Sequence, residues 1–286
     1  MDGQALNLRG RVTAGGHIQT RRPNCRRLSI PEGPGDRYRV AQLDDYGALP
    51  RSHFRWAAPI ELRVTARVSA PNLPGTWGFG WWNDPFSMQL GLGGATRRLP
   101  ALPNAAWVFY AAPPNYLALR DDHPAQGLLA ATFSSPQLSA PLLALGLPAV
   151  PLLMSPCAAR AVRRVARWFV REDAAVLSLD PTQWHTYGLL RTEDLVRVTV
   201  DGVVAFSTPV VPNGRLGLVL WIDNQYVAFP PDGRLRIGSS ANPDAWLDVA
   251  DLSLSRLTAD LRAIPGRADR PESTPPSSQA SSKQRR

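Results

Sequence analysis

The sequence predicts an all-β protein, a sandwich of antiparallel strands. One observation is the alternation of polar and apolar residues over Glu61–Ser69, which is typical of a strand with one buried face. A second is Asp201-Gly202 between two apolar β-branched runs, because a type I′ hairpin turn needs positive φ at both central residues. The third is a content of 22 glycines and 28 prolines in 286 residues, which suits a chain with many turns.

The net charge of +9 lies mainly at the two ends of the chain. Residues 1–30 hold six arginines and one aspartate, and residues 266–286 hold four arginines and a lysine against two acids. We therefore predict a flexible Arg-rich N-terminal arm over residues 1–35, a sandwich domain over 36–265 and a disordered tail over 266–286. Because the rest of the chain is nearly neutral, no specific nucleic-acid partner is expected.

Two cysteines and four scattered histidines lack the spacing of a disulfide framework or a zinc site. We find no phosphate loop, dinucleotide fingerprint or nucleophile elbow, so no metal and no cofactor are expected. The N-terminus has no apolar segment typical of a secretory signal, and the sequence predicts a cytoplasmic protein.

The predicted strands begin with Glu61–Ser69, which places Leu62, Val64, Ala66 and Val68 on one face. Thr76–Trp82 follows, with Trp77, Phe79 and Trp81 on one face and two glycines on the other, where glycine indicates a bend or a close backbone approach. Further strands are predicted at Ser87–Leu92, Ala106–Ala111, Tyr116–Arg120, Leu128–Phe133, His185–Leu190, Leu195–Val200, Val203–Phe206, Gly214–Asp223 and Leu247–Leu257.

Residues 137–173 interrupt the strand pattern and are predicted to be a helical insertion. Leu138–Met154 is apolar but contains three prolines, which argues against a transmembrane helix. Ala158–Asp173 has helical spacing, with an apolar stripe bordered by arginines. Two interpretations stay open: a helical hairpin packed on the sandwich, or an element in weak contact with a membrane surface or a partner.

Four segments resemble successive strands of the concanavalin A-like lectin and glucanase superfamily, especially glycoside hydrolase family 16. They are the Trp-rich region Glu61–Trp82, the Trp-His-Thr-Tyr to Asp-Gly region Trp184–Val204, and the strands Gly214–Asp223 and Leu247–Leu257. The segments occur in the family's order and together cover about half of the chain. The resemblance implies a concanavalin A-like jelly-roll β-sandwich and a function on carbohydrates.

The chain departs from family 16 at the residues that carry the family's catalysis. That family places a Glu-x-Asp-x-Glu strand after its Trp-rich strand, and two carboxyl groups about 5–5.5 Å apart perform retaining hydrolysis. The matching stretch here, residues 86–92, contains no acid, and the pattern occurs nowhere in the chain. We therefore expect no family 16-type hydrolase activity.

Asp84 and Asp223 are the candidate catalytic acids that remain. Asp84 precedes Pro85, so an Asx-turn is the alternative to a ligand or acid role. Asp223 shares its predicted strand face with Trp221 and Gln225, which would set an aromatic platform beside polar groups.

Two further polar groups suggest structural roles. Asp121 and Asp122 are adjacent and would point to opposite faces of a strand, which leaves a solvated loop or a calcium-type oxygen site. His185 has no nucleophile partner in the sequence, so a structural role is expected.

The predicted ligand-binding residues combine the aromatic and polar positions. They are Trp77, Trp81, Trp82, Asn83, Asp84, Trp107, Trp221, Asp223 and Gln225. Three hypotheses follow: a carbohydrate- or glycoside-binding sandwich without family 16-type catalysis, a divergent glycoside hydrolase or lyase that uses Asp84 and Asp223, and a membrane- or partner-docking module that uses residues 137–173.

Overall fold

A computed structural model describes residues 6–85, 98, 101–138, 143 and 154–257. The chain divides into a compact unit, Met1–Arg256, and a C-terminal unit, Leu257–Arg286, of which Leu257 alone is described. The predicted strand Ser87–Leu92, most of Leu138–Leu153 and the predicted tail 266–286 lie outside the described residues.

The described residues include an α-helix, a 3₁₀ turn at Arg51–His53 and the strands given below. The helix is α1 (Pro156–Phe169). The strands are β1 (Arg9–Thr13), β2 (His17–Arg22), β3 (Cys25–Ile30), β4 (Val40–Asp44), β5 (Ile60–Val68), β6 (Thr76–Trp82), β7 (Ala105–Ala111), β8 (Gly127–Ser134), β9 (Arg171–Val176), β10 (His185–Arg191), β11 (Val196–Val200), β12 (Val203–Thr208), β13 (Gly217–Asp223), β14 (Gln225–Ala228), β15 (Arg236–Ser239) and β16 (Ala245–Arg256).

Most of these strands form two seven-stranded antiparallel sheets. The front sheet has the order β1-β4-β13-β6-β7-β8-β9, and the back sheet has the order β12-β11-β10-β5-β16-β3-β2. Strands β14 and β15 pair as a separate hairpin. This architecture confirms the predicted all-β jelly-roll sandwich.

The hydrophobic core lies between the two sheets. Leu62, Val64, Ala66 and Val68 of β5 are all buried in it, which confirms the alternation seen in the sequence. The hairpin turn between β11 and β12 also has the predicted geometry, with φ of 51° at Asp201 and 82° at Gly202. Strand β5 and the β11–β12 hairpin both belong to the back sheet.

The N-terminal segment differs from the predicted flexible arm, because residues 9–30 form β1, β2 and β3 within the sheets. Leu28 and Ile30 form the core face of β3, and they are flanked in the sequence by arginines and a serine. On the other face, Arg27 pairs with Asp248 and lies 3.8 Å from the ring centre of Trp246. The arginines are therefore the outward face of a strand and not a mark of disorder.

The predicted helical insertion ends in a strand, since β9 follows α1 and completes the edge of the front sheet. The predicted strand Tyr116–Arg120 is not a strand, because Glu172 accepts hydrogen bonds from the backbone N–H groups of Leu119 and Arg120. No helix in the described ranges is long and apolar enough to cross a membrane.

Candidate functional site

The outward face of the front sheet carries an aromatic cluster, which we call the aromatic face: Trp82, Trp107, Phe133 and Trp221. All four side chains are half-buried, and Trp107 lies at the centre. The ring centre of Trp107 lies 5.8 Å from Trp82, 5.8 Å from Trp221 and 6.1 Å from Phe133. The four rings come from strands β6, β7, β8 and β13, which are neighbours in the sheet.

Two glycines of β6 make room for the aromatic residues of β7. A Cβ atom at Gly78 would lie 2.7 Å from the Cβ of Phe109, and one at Gly80 would lie 2.7 Å from the Cβ of Trp107. Real Cβ contacts are not this short, so any side chain at these positions would push the two strands apart. The close backbone approach expected at these glycines is therefore present.

Hydrogen bonds to the protein fix two of the indole rings. The Nε1 of Trp221 donates to the Oγ1 of Thr76 at 2.8 Å, and the Nε1 of Trp82 donates to the hydroxyl of Tyr46 at 2.6 Å. These bonds hold the rings in place before any ligand arrives, which lowers the entropy cost of binding.

Trp77 and Trp81 were predicted to bind ligand, but the structure places both in the core. Their exposed fractions are 1% and 0%. The sequence correctly placed them on one face of β6 with Phe79, and that face points toward the back sheet. The glycine face of β6 is the outward one, so these two indoles lie on the opposite side of the sheet from the aromatic face.

Asp223 lies on the outward face of β13, but hydrogen bonds within the protein occupy its carboxylate. Oδ1 accepts from the backbone N–H and the hydroxyl of Thr76 and from the N–H of Gln225, while Oδ2 accepts from Tyr38. Burial raises the pKa of Asp223 to about 7, against the lowering effect of these bonds. Gln225 is half-buried and begins the separate strand β14.

Asp84 follows the opposite end of β6 and forms a buried ion pair. Its Oδ2 lies 2.5 Å from Nη1 of Arg98, and the Arg98 side chain also donates to the carbonyl groups of Tyr46 and Leu49. Burial raises the pKa of Asp84, while the charge of Arg98 opposes that rise. The carboxylate therefore anchors Arg98 beside the loop that follows β4.

The register of β6 and β13 separates Asp84 from Asp223. Asp223 pairs with Thr76 at the start of β6, and Gly217 pairs with Trp82 at its end. Six residues of strand span about 20 Å, and Asp84 lies beyond Trp82. Inverting glycosidases need carboxyl groups within about 9.5 Å, so the hypothesis that these two acids form a relocated catalytic pair is wrong.

Strand β7 pairs with β6 over the whole length of both strands. Its residues that point away from the core are Ala105, Trp107, Phe109 and Ala111. None of them is a carboxylate, so this strand lacks the acids on which the resemblance to family 16 enzymes would depend.

A polar pocket of about 510 Å³ lies at the strand ends next to Trp82. It is lined by Arg51, Ser52, Asn83, Ala101, Leu102, Asn104, Pro136, Gln137, Leu138, Asn213, Gly214 and Arg215. Asn104 joins its walls, because its Oδ1 accepts from the backbone N–H groups of Ser135 and Asn213. Its own backbone N–H donates to Oδ1 of Asn83 at 3.0 Å. Among the lining residues that the structure describes there are two arginines and no carboxylate, so the pocket favours polar and negatively charged groups.

The acids near His123 form ion pairs. Asp121 lies 2.8 Å from Arg163 and 2.5 Å from Arg167, and Asp122 lies 2.6 Å from Arg120. In the parts of the chain that the structure describes, no group of three or more His, Cys, Asp or Glu side chains could hold a metal ion. Asp121 and Asp122 therefore do not belong to a cluster of three such side chains that could hold a metal ion among the described residues.

Sequence reasoning missed Phe133 and the two pocket arginines, Arg51 and Arg215. Phe133 lies at the end of a strand that was predicted, but its position beside Trp107 depends on the order of strands in the sheet. The pocket joins loops that are far apart in the sequence. Neither feature leaves a local pattern from which it could have been found.

Comparisons with known proteins give similarity in structure alone. No protein-family model matches the chain, and no curated protein matches it. An endo-β-1,4-glucuronan lyase from the fungus Trichoderma reesei is similar with 10% identity and a TM-score of 0.44, over 91% of this chain and 95% of that one.

Two further solved structures are similar at the same level. A legume lectin-like domain from Entamoeba histolytica has 7% identity and a TM-score of 0.45, over 88% of this chain and 91% of that one. A glycosyl hydrolase family 16 protein from Mycobacterium smegmatis has 12% identity and a TM-score of 0.42, over 88% and 93% of the two chains. The relationship is a distant one of fold.

Proposed function

We propose that this protein binds carbohydrate on the aromatic face, without family 16-type hydrolysis. The observation that carries the proposal is the cluster of four half-buried rings around Trp107, two of them fixed by hydrogen bonds to Tyr46 and Thr76. A pyranose ring presents an apolar face of C–H groups that stacks on an indole, while its hydroxyl groups need polar partners at the edge.

The polar pocket supplies such partners next to the aromatic face. Asn83 follows Trp82 directly, and the next lining residues belong to the segments before β7 and after β8. A sugar stacked on Trp82 would therefore have its hydroxyl groups within reach of asparagine, glutamine and serine side chains. Arg51 and Arg215 favour a glycan that carries carboxylate or sulfate groups.

Binding without hydrolysis follows from the acids that this face lacks. The outward residues of β7 carry no carboxylate, and Asp223 is occupied by donors from Thr76, Gln225 and Tyr38. Retaining hydrolysis needs a nucleophile and a general acid on either side of one glycosidic bond. The arrangement of β6, β7 and β13 therefore favours recognition over cleavage.

A glycan array followed by titration calorimetry tests the proposal. The array compares neutral polysaccharides with polyuronates and sulfated glycans, and the best binder is then titrated into the wild type and Trp107→Ala. We expect at least a tenfold loss of affinity in the variant, which corresponds to about 1.4 kcal/mol. Trp168→Ala is the matched control, because that indole is exposed on α1 and far from the front-sheet rings in the chain.

Two results would contradict the proposal. One is a wild-type protein that binds no glycan on the array. The other is equal affinity of Trp107→Ala and the wild type in calorimetry, with both proteins shown by thermal unfolding to be folded. Release of reducing ends from the bound glycan would contradict the part of the proposal that excludes hydrolysis.

A further inference from the structure

Helix α1 packs on the sandwich with its polar side inward and its apolar side outward. Ala159 and Arg163 are the buried residues of the helix, with exposed fractions of 0% and 2%. Val162, Val165 and Phe169 are exposed, and the exposed fraction of Trp168 is 77%. A surface helix of a globular protein normally has the reverse arrangement.

Arginines hold the helix in this orientation. Arg163 donates to the carbonyl groups of Ala118 and Phe229 and to the carboxylate of Asp121. Arg167 forms a second ion pair with Asp121 and donates to the carbonyl of Leu119. Rotation of the helix would break these charge-assisted bonds, so the apolar side is fixed toward solvent.

The outward side forms one continuous surface, which we call the outer stripe: Ala161, Val162, Val165, Trp168 and Phe169. At 100° per residue these positions share one half of the helix, opposite Arg163. All five are exposed, and together they present roughly 400 Å² of mostly apolar surface along a helix about 21 Å long.

Basic residues and a stretch of uncharged sequence border the outer stripe. Arg160 and Arg164 are exposed along one edge of it, one helical turn apart. The segment that precedes α1, Leu138–Leu153, contains no charged residue, and the residues described on either side of it, Leu138 and Met154, are both exposed.

We infer that the outer stripe docks on the surface of a lipid bilayer that contains anionic headgroups. Tryptophan and aliphatic side chains bordered by arginine are the combination that enters the boundary between headgroups and acyl chains. The stripe would insert its apolar side chains to that depth, and Arg160 and Arg164 would contact lipid phosphate and carboxylate groups.

Charge and area favour this occupant over a second copy of the chain. Two outer stripes placed face to face would bring the bordering arginines of both copies close together, at a cost in repulsion. The area of roughly 400 Å² is also about half of the 800 Å² per partner that a stable protein interface needs. An anionic bilayer avoids both problems, because its charge is opposite to that of the arginines and because insertion into it does not require a complementary protein surface of 800 Å².

Co-sedimentation with vesicles tests the inference. The full-length protein is mixed with vesicles of phosphatidylcholine alone and of phosphatidylcholine with phosphatidylserine. We expect sedimentation with the anionic vesicles, and at least a tenfold weaker association for Trp168→Glu and Val165→Glu. Val204→Glu is the matched control, because Val204 is a valine on β12 whose exposed fraction of 53% is close to the 46% of Val165. Val203→Glu serves as a second control, at an exposed fraction of 70%.

A fluorescent label provides a second measurement. Cys157 is exposed at the start of α1 and Cys25 is buried, so a polarity-sensitive dye attaches to the helix. Its emission is expected to shift to shorter wavelength on addition of anionic vesicles. Failure of the wild type to associate with phosphatidylserine vesicles would overturn the inference, and so would an equal loss in Val204→Glu or Val203→Glu.

Measurements without lipid distinguish two other occupants of the outer stripe. A second copy would give a dimer in sedimentation velocity that Trp168→Glu dissociates. The protein's own segment 139–153 would shield the dye on Cys157 from an aqueous quencher, and Trp168→Glu would then lower the melting temperature. Either result would overturn docking on a bilayer, whereas a monomer with an accessible dye supports it.

Discussion

Nδ1 of His185 lies 2.6 Å from Oδ2 of Asp201, the first central residue of the turn between β11 and β12. The other oxygen of Asp201 accepts a hydrogen bond from the backbone N–H of Thr186, and Nε2 of His185 lies 3.1 Å from the carbonyl oxygen of Asp180. The Trp-His-Thr-Tyr and Asp-Gly segments are thus joined by bonds that support the back sheet. The histidine has a structural role in this arrangement.

Asp201→Asn is expected to lower the free energy of unfolding by about 0.5–1 kcal/mol at pH 7, because the bond from His185 is charge-assisted but largely exposed to solvent. That bond lowers the pKa of Asp201, so its stabilisation is present above the unfolded-state pKa and is lost as pH falls through the folded value. Urea unfolding at pH 7 and pH 3 should show a larger difference between variant and wild type at pH 7 than at pH 3. Asp194→Asn, in the exposed turn after β10, should change neither value, and an equal effect there would contradict the prediction.

The sequence predicted the strands that have one buried face and one solvated face. Strand β5 is the clearest case, because an antiparallel strand of this kind leaves strict alternation in the sequence. Strands β1 to β4 were missed for two reasons. Arginines on the outward face of β3 resemble a disordered segment in composition, and β4 is too short and too buried to alternate.

The candidate site could be predicted only in part, because the order of strands in a sheet leaves no trace in local patterns. Trp82, Trp107 and Trp221 were selected as aromatic residues, and pairing of β13, β6 and β7 brings them together. The same reasoning wrongly placed Trp77 and Trp81 on the open face. Alternation shows which residues share a face of β6, but the direction of that face depends on the position of the second sheet.

Gly78→Ala tests the close approach of β6 and β7 beneath the aromatic face. The new Cβ would lie 2.6 Å from the carbonyl oxygen of Val108, which is backbone and cannot rotate away. We expect the free energy of unfolding to fall by about 2–4 kcal/mol. Chemical denaturation measures this change. Gly202→Asn is the control, since a Cβ there meets nothing within 4 Å and asparagine tolerates its φ of 82°, and comparable losses in both variants would contradict the argument.

Asp223→Asn should remove the contribution of this carboxyl group to the pH dependence of the free energy of unfolding. Because burial raises the pKa of Asp223 to about 7, the native state keeps this proton while the unfolded chain releases it, and stability falls as pH rises from about 4 to 7. Asparagine keeps an acceptor for Thr76 and cannot ionise. The variant should therefore gain stability relative to the wild type between pH 5 and pH 8, by at most about 4 kcal/mol.

Urea unfolding of both proteins across this pH range measures the gain. Asp248→Asn serves as a comparison, because that carboxylate is paired with Arg27 and Arg67 on the back sheet. The comparison variant should be less stable than the wild type, because it removes the ion pairs with Arg27 and Arg67. A constant difference between Asp223→Asn and the wild type at every pH would show that Asp223 is ionised throughout the range.

Arg163→Met should release α1 from the sandwich. The guanidinium is buried, and its removal leaves the carbonyl groups of Ala118 and Phe229 and the carboxylate of Asp121 without that partner. A buried acceptor that loses a charged donor costs about 1–3 kcal/mol, so we expect local opening of the helix before the rest of the domain unfolds. Hydrogen exchange read by mass spectrometry should show faster exchange in residues 156–170 with unchanged protection in β5 and β16.

Arg164→Met removes the same charge from an exposed position one residue away, and it should leave exchange in the helix unchanged. If both variants exchange like the wild type, the bonds of Arg163 do not hold the helix, and the fixed orientation of the outer stripe loses its physical basis.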